Sequence, residues 1–216
     1  MSNANRRPLK VRGANLSIKI AEWLSKKDIA PNQISVASVG FAILAAASLL
    51  CIHQFSGIGK IIFSLLAAVF IQCRLLCNLF DGMVAVEGGK RTASGELFND
   101  IPDRIADPII LVAAGYAADC GWSVIFGWLG GLIAVLTAYV RVLNAGVGAP
   151  MDFRGPMAKQ HRMALMTGAC ILTGVESYVL APGSVLMIAL VMVVIGGVIT
   201  IIRRVLSAYV YLEKEM

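Results

Sequence analysis

The chain has 216 residues, of which 58% are hydrophobic and only 15% charged, with a mean hydropathy of +0.77. That composition excludes an ordinary soluble domain of this length and points to the lipid bilayer as the solvent. The formal net charge of +6 arises from 19 Lys and Arg against 13 Asp and Glu; their placement between apolar stretches makes it a topology signal, and no nucleic-acid partner is needed to explain it.

Residues 1–32 read as a basic N-terminal segment. Within it, residues 14–28 put Leu16, Ile20, Trp23 and Leu24 on one helical face with Lys19, Lys26 and Lys27 nearby, the pattern of a helix lying in the membrane interface. No cleavable signal peptide is expected, because the first long apolar run follows about 33 residues rich in Lys and Arg. Pro31 and Asn32 then interrupt the chain. Apolar stretches at 34–54, 58–86, 96–118, 122–144, 162–181 and 184–206 follow, and each approaches the roughly 20 residues a helix needs to cross a bilayer. A soluble bundle would need polar faces at helical spacing, which stretches such as 185–202 lack. The predicted fold is all-α integral membrane, with six transmembrane helices preceded by a juxtamembrane amphipathic helix and one membrane domain over residues 33–216.

Basic residues alternate between the two sets of connections. Arg6, Arg7, Lys10, Arg12, Lys19, Lys26 and Lys27 precede the first span, Lys90, Arg91 and Arg104 mark the second connection, and Arg154, Lys159 and Arg162 the fourth. The opposite connections hold only Lys60. The expected protein is therefore a multi-pass cell-membrane protein with both termini in the cytoplasm. The five cysteines include no C-x-x-C pair, and Cys73 and Cys77 read as helix packing. His53 and His161 are too far apart for a zinc site.

Ionisable groups within spans are costly, and one dense cluster, residues 77–107, calls for a function. Asn78 and Asp81 lie three apart near the end of the second span. Asn99, Asp103 and Asp107 recur at i, i+4 and i+8 on the third, flanked by Glu96 and Asp100. Asp81 stands at a helix C-terminus, where the dipole disfavours an anion. Carboxylate and amide oxygens are hard ligands suited to Mg2+ or Mn2+, and Gly82 and Gly95 leave room for close approach. Together these features suggest a divalent metal holding a phosphorylated ligand.

The same residues resemble the signature of the CDP-alcohol phosphotransferases, D-x-x-D-G-x-x-A-R-x8-G-x-x-x-D-x-x-x-D. Here it reads Asn78-x-x-Asp81-Gly82-x-x-Ala85-Val86, eight residues, then Gly95-x-x-x-Asn99-x-x-x-Asp103, without insertion or deletion. Pro31 to Ile34 at the entry to the first span, the hydropathy and the chain length also resemble the family. Two aspartates are replaced by Asn78 and Asn99, and the arginine by Val86.

The resemblance implies a phospholipid-synthesis enzyme that transfers a phosphatidyl group from CDP-diacylglycerol, or another CDP-alcohol, to a polar alcohol and releases CMP. It implies a metal held by Asn78, Asp81, Asn99 and Asp103, with Asp100 one residue along as a source of the missing charge. Asp103 would be the general base, and Asn78, Asp81, Gly82, Ala85 and Gly95 the nucleotide site. Lys90, Arg91 or Arg104 would replace the missing arginine at the phosphate. Arg141, Arg154, Lys159 and Arg162 are candidates to bind a phosphorylated acceptor. The resemblance further implies a site at the cytoplasmic edge, contact with membrane lipids and a homodimer. The alternative is a non-catalytic lipid- or partner-binding membrane protein that keeps the fold around a degraded metal site.

Overall fold

The structure is a computed structural model and describes residues 15–86, 88–90, 94–176 and 180–214; the side chains of Leu16 and Glu96 lie outside the description. The described residues form seven α-helices: α1 (Asn15–Lys26), α2 (Pro31–Cys51), α3 (Ile58–Val86), α4 (Gly95–Ala118), α5 (Ser123–Gly146), α6 (Lys159–Thr173) and α7 (Ser184–Lys214), with a short 3-10 turn at Ile52–Gln54.

Local chemistry explains the punctuation. Pro31 opens α2, where its missing N–H costs nothing, and Gln33 Oε1 accepts the Ala30 N–H at 3.0 Å. Asp119, in the left-handed region at φ 45°, ends α4. At the start of α5, Ser123 Oγ donates to Gly115 O at 2.8 Å and accepts the Cys120 N–H at 3.3 Å. Glu176 accepts from the N–H groups of Gly183 and Val185 at 2.8 and 3.2 Å, satisfying donors at the start of α7, and pairs with Lys60 at 3.0 Å.

Helices α2, α3, α6, α7, α5 and α4 pack in that cyclic order, and α4 also touches α7 across the ring. The α4–α5 crossing depends on small residues: a Cβ on Gly127 would lie 2.9 Å from Gly115 Cα, so the two backbones meet almost directly. The core within the ring is built from α2 alanines, Ile71, Ile110, Leu111, Met163, Met166, Leu186 and Leu190. Around the outside, α3 exposes Ile62, Leu65 and Val69, α5 exposes Leu129, Leu132 and Leu136, and α7 exposes Ile188, Met192, Ile195 and Ile199. So continuous an apolar exterior is stable only in lipid, and the protein is a membrane protein.

The expected count of six spans is met only in part. Among the described residues four helical stretches are long and apolar enough to cross a bilayer: Pro31–Gln54, Ile58–Val86, Ser123–Gly146 and Ser184–Lys214. The predicted span at 96–118 folds as α4 over 24 residues, but Asp100, Asp103, Arg104 and Asp107 make its first half polar. The predicted span at 162–181 forms a helix of only 15 residues, about 22 Å at helical rise against roughly 30 Å of hydrocarbon. Both are ring members whose polar or short portions are covered by neighbours.

The amphipathic helix is present as α1. Ile20, Ala21 and Leu24 pack with Leu79, Phe80, Met83 and Val84 of α3, while Trp23 points outward, 57% exposed. Lys90 secures this docking, donating to Ser25 O at 2.9 Å and Asp28 Oδ1 at 3.0 Å.

Candidate functional site

The C-terminal half of α3 and the N-terminal half of α4 bring the ionisable cluster to one end of the ring. Pro102 and Pro108 bracket Asp103, Arg104 and Asp107 within α4. Each proline removes a backbone hydrogen bond one turn back, so this stretch is locally less constrained than a regular helix.

Asp81, 3% exposed, faces α2, and Ser35 Oγ lies 2.6 Å from its Oδ2. The same hydroxyl lies 3.2 Å from Pro31 O, so its single proton serves one of the two. Asn78 Nδ2 donates to Arg74 O at 3.1 Å. Among the described residues no side chain donates to Asn78 Oδ1 or Asp81 Oδ1, although both are buried. Asp103 and Lys159 lie within electrostatic range of Asp81.

The centre of the cluster is Arg74, which sequence reasoning overlooked. Its side chain is wholly buried in the apolar run of α3, and its Nη2 reaches Asp103 Oδ1 at 2.9 Å and Asp107 Oδ1 at 2.5 Å. From α6, Lys159 donates to Asp103 Oδ2 and Arg162 Nη2 to Asp107 Oδ2. Two carboxylates are thus held among three cations. The signal for Arg74 was available: an arginine inside a long apolar run, one helical turn before Asn78, must share its face. Ser35 carried no such signal, because only the packing of α2 on α3 brings it to Asp81.

The remaining candidates separate by location. Asp100 accepts from Arg141 at 2.9 Å and Arg104 at 3.1 Å, and so faces α5. Asn99 is exposed on the first turns of α4. Gly82 and Ala85 lie half-buried along α3, and Gly95 opens α4. Lys90 is committed to α1. Arg91 lies outside the described residues. Arg154, its side chain 77% exposed, pairs with Asp152 at 3.0 Å.

Arg104, Arg141, Lys159 and Arg162 line one cavity of about 60 Å3 with Asp100, Asp103, Asp107, Phe153 and Arg204. The Arg141 guanidinium sits 5.5 Å over the Phe153 ring. The 147–158 connection that carries Phe153 is pinned to α7: Arg204 donates to Arg154 O at 3.1 Å and Thr137 O at 2.7 Å, and Met157 N–H donates to Thr200 Oγ1 at 3.0 Å. Asp152 lies in this connection. Burial opposes its charge, but hydrogen bonds from the Arg154 side chain and backbone, with the Arg154 and Arg204 charges, hold its carboxyl below the ordinary 3.8.

The donor set fits one hard cation. Asn78 Oδ1 and Asp81 Oδ1 are enclosed oxygens without a side-chain donor, the donor type a hard cation prefers, while among the described residues no three His, Cys, Asp or Glu side chains gather into a ready metal site. The cluster does not offer a second set, since Asn99 is exposed and Asp100 and Asp107 are engaged with arginines.

Among the described residues the chain is thus a six-helix ring with an ionisable cluster at one end, where α3, α4 and α6 meet. Solved structures of Mycobacterium tuberculosis phosphatidylinositol phosphate synthase share this fold. The structure with CDP-DAG bound aligns at a TM-score of 0.70 and 18% identity, covering 91% of this chain and 94% of that one. The complex with manganese and citrate aligns at 0.69 and 19%, covering 89% and 88%. The apo form aligns at 0.68 and 18%, covering 88% and 95%. No protein-family model matches the chain, and no curated protein matches it.

Proposed function

We propose that the chain is a CDP-alcohol phosphotransferase that moves a phosphatidyl group from CDP-diacylglycerol to the hydroxyl of a polar alcohol and releases CMP. The observation that carries the reading is the pair of enclosed oxygens without a side-chain donor on Asn78 and Asp81, near Asp103 and a cation-lined cavity in this fold. On this reading the six ring helices form one membrane domain with the site at its cytoplasmic edge, where a lipid-tailed donor keeps its chains in the bilayer.

A bound Mg2+ or Mn2+ supplies neutralising charge to the donor diphosphate. Asp81, Asn78 and Asp103 hold it, and Gly82, Ala85 and Gly95 let the nucleotide lie close to the backbone. Asp103 takes the proton from the acceptor hydroxyl, whose oxygen attacks the phosphorus distal to cytidine as CMP leaves. Lys159 now occupies Asp103 Oδ2. An anionic acceptor in the cavity competes for Lys159 and so frees that oxygen, which favours a phosphorylated alcohol among the candidates. Arg141, Arg162 and Arg204 provide the other cationic contacts.

A second reading is favoured by the same contact: with both Asp103 oxygens held by Arg74 and Lys159, the chain is a lipid- or partner-binding protein without turnover. The two readings separate in one assay. Purified protein with Mg2+ or Mn2+, labelled CDP-diacylglycerol and a panel of alcohols and alcohol phosphates should release CMP. Absence of CMP with every acceptor, together with retained CDP binding, supports the second reading.

A further inference from the structure

The inference concerns Arg74 and rests on the reading of the site as a metal and CDP site. The charges gathered at the end of α3 are Asp103 and Asp107, in ion pairs with Arg74, Lys159 and Arg162, and Asp81, which pairs with none of them but lies within electrostatic range of Lys159 and Asp103. As formal charges they cancel. Arg74 makes this so, because its wholly buried side chain is the one α3 cation that bridges both α4 carboxylates among the described residues. In the next layer Asp100 is shared by Arg104 and Arg141, and Arg204 lines the same cavity. That layer is positive among the described residues. Asn78 and Asn99 stand where carboxylates would have tipped the balance the other way.

A divalent cation entering such a cluster alone would leave two uncompensated positive charges in a poorly solvated site, beside three fixed cations. Such a charge is several times costlier than in water. A diphosphate arriving with the cation removes that cost, because its negative charges offset the metal and meet the positive outer layer. We propose that Arg74 makes the cluster electroneutral without a metal, so that the protein takes up a divalent cation only together with the diphosphate of its donor. Arg74 is then a positioning residue that sets the order of binding without itself touching the reacting atoms. Reciprocity follows: the factor by which CDP tightens the metal is the factor by which the metal tightens CDP.

Equilibrium dialysis of Mn2+ against the full-length protein in nanodiscs, with and without CDP and with cytidine as the phosphate-free control, tests this. Both chambers contain the same free Mn2+–CDP complex, so only protein-bound metal is counted. Mn2+ affinity should rise at least about 100-fold with CDP, two factors of ten at roughly 1.4 kcal/mol each, and should be unchanged with cytidine. Asn78→Asp, which adds one negative charge with little change of shape, should bind Mn2+ without CDP at least about tenfold more tightly than the unaltered chain. Arg74→Gln should do the same where it folds. Equal Mn2+ affinity with and without CDP, or no gain in Asn78→Asp, overturns the inference and leaves the proposed function standing. Failure of CDP to bind under any metal condition removes the proposed function, and the inference falls with it.

Discussion

Asp81 and Asp103 differ in what surrounds them, and their substitutions should differ accordingly. Asp81 is held by Ser35 on one oxygen and lacks a side-chain donor on the other. Asp81→Asn should therefore weaken Mn2+–CDP binding with little loss of stability. Asp103→Asn removes the proposed base and leaves Arg74 and Lys159 facing a neutral amide, so CMP release should fall by about 100-fold or more. Quench-flow measurement of CMP and dialysis of Mn2+–CDP on each variant separate the two effects. An undiminished rate in Asp103→Asn would show that another group takes the proton. Asp152 gives a residue-scale test of pH dependence. Its folded pKa lies below the ordinary 3.8, so its charged form stabilises the 147–158 connection at every pH above that value, and the contribution is lost as pH falls through the lower folded value. The difference in Tm between the unaltered chain and Asp152→Asn should be constant from pH 8 to about pH 5 and shrink only below about pH 4.

At the scale of elements, the α4–α5 crossing and the α7 start should fail in different ways. Gly127→Leu places a side chain where the Gly115 backbone already lies 2.9 Å from the Cβ position, and neither helix backbone can yield as a flexible side chain would. The expected cost is about 1–3 kcal/mol, read as a lower midpoint in an SDS titration. Glu176→Ala strips the Gly183 and Val185 N–H groups of their acceptor and leaves Lys60 unpaired. It should destabilise by a similar amount. Because Lys60 and Asp81 sit roughly 30 Å apart along α3 at helical rise, Mn2+–CDP binding should be untouched. The element boundaries near the site were largely legible: the predicted span at 58–86 coincides with α3, Ile58–Val86, and the one at 96–118 begins a single residue inside α4. Apolar composition located them, with Pro31 opening α2 and Asp119 closing α4 where chain chemistry requires. The stretch at 162–181 outran its helix because apolar composition continues past Thr173, where α6 stops.

For the whole molecule, the ring closes because α6 reaches from α3 to α7, and that closure puts Lys159 and Arg162 opposite Asp103 and Asp107. The proposed orientation places this end in the cytoplasm. In a cysteine-free background, Trp122→Cys at the opposite end should react with a membrane-impermeant maleimide applied outside sealed cells, and Asp28→Cys should react only after permeabilisation. The reverse pattern would invert the topology.

From the sequence by itself follow the membrane environment, the helical class, the docking helix and the position of the acidic cluster, since all of these rest on local composition and on spacing along one helix. Asn78, Asp81 and Asp103 were legible as candidates for the same reason. Which cations meet which carboxylates was not, because an ion pair between α3, α4 and α6 depends on how three helices pack. Only the tertiary structure decided that Asp100 turns to Arg141, that Lys90 is spent on α1, and that Arg74 stands between Asp103 and Asp107. A polar end of a helix announces itself in sequence, whereas the balance of charge inside a ring is a property of the helices that close it.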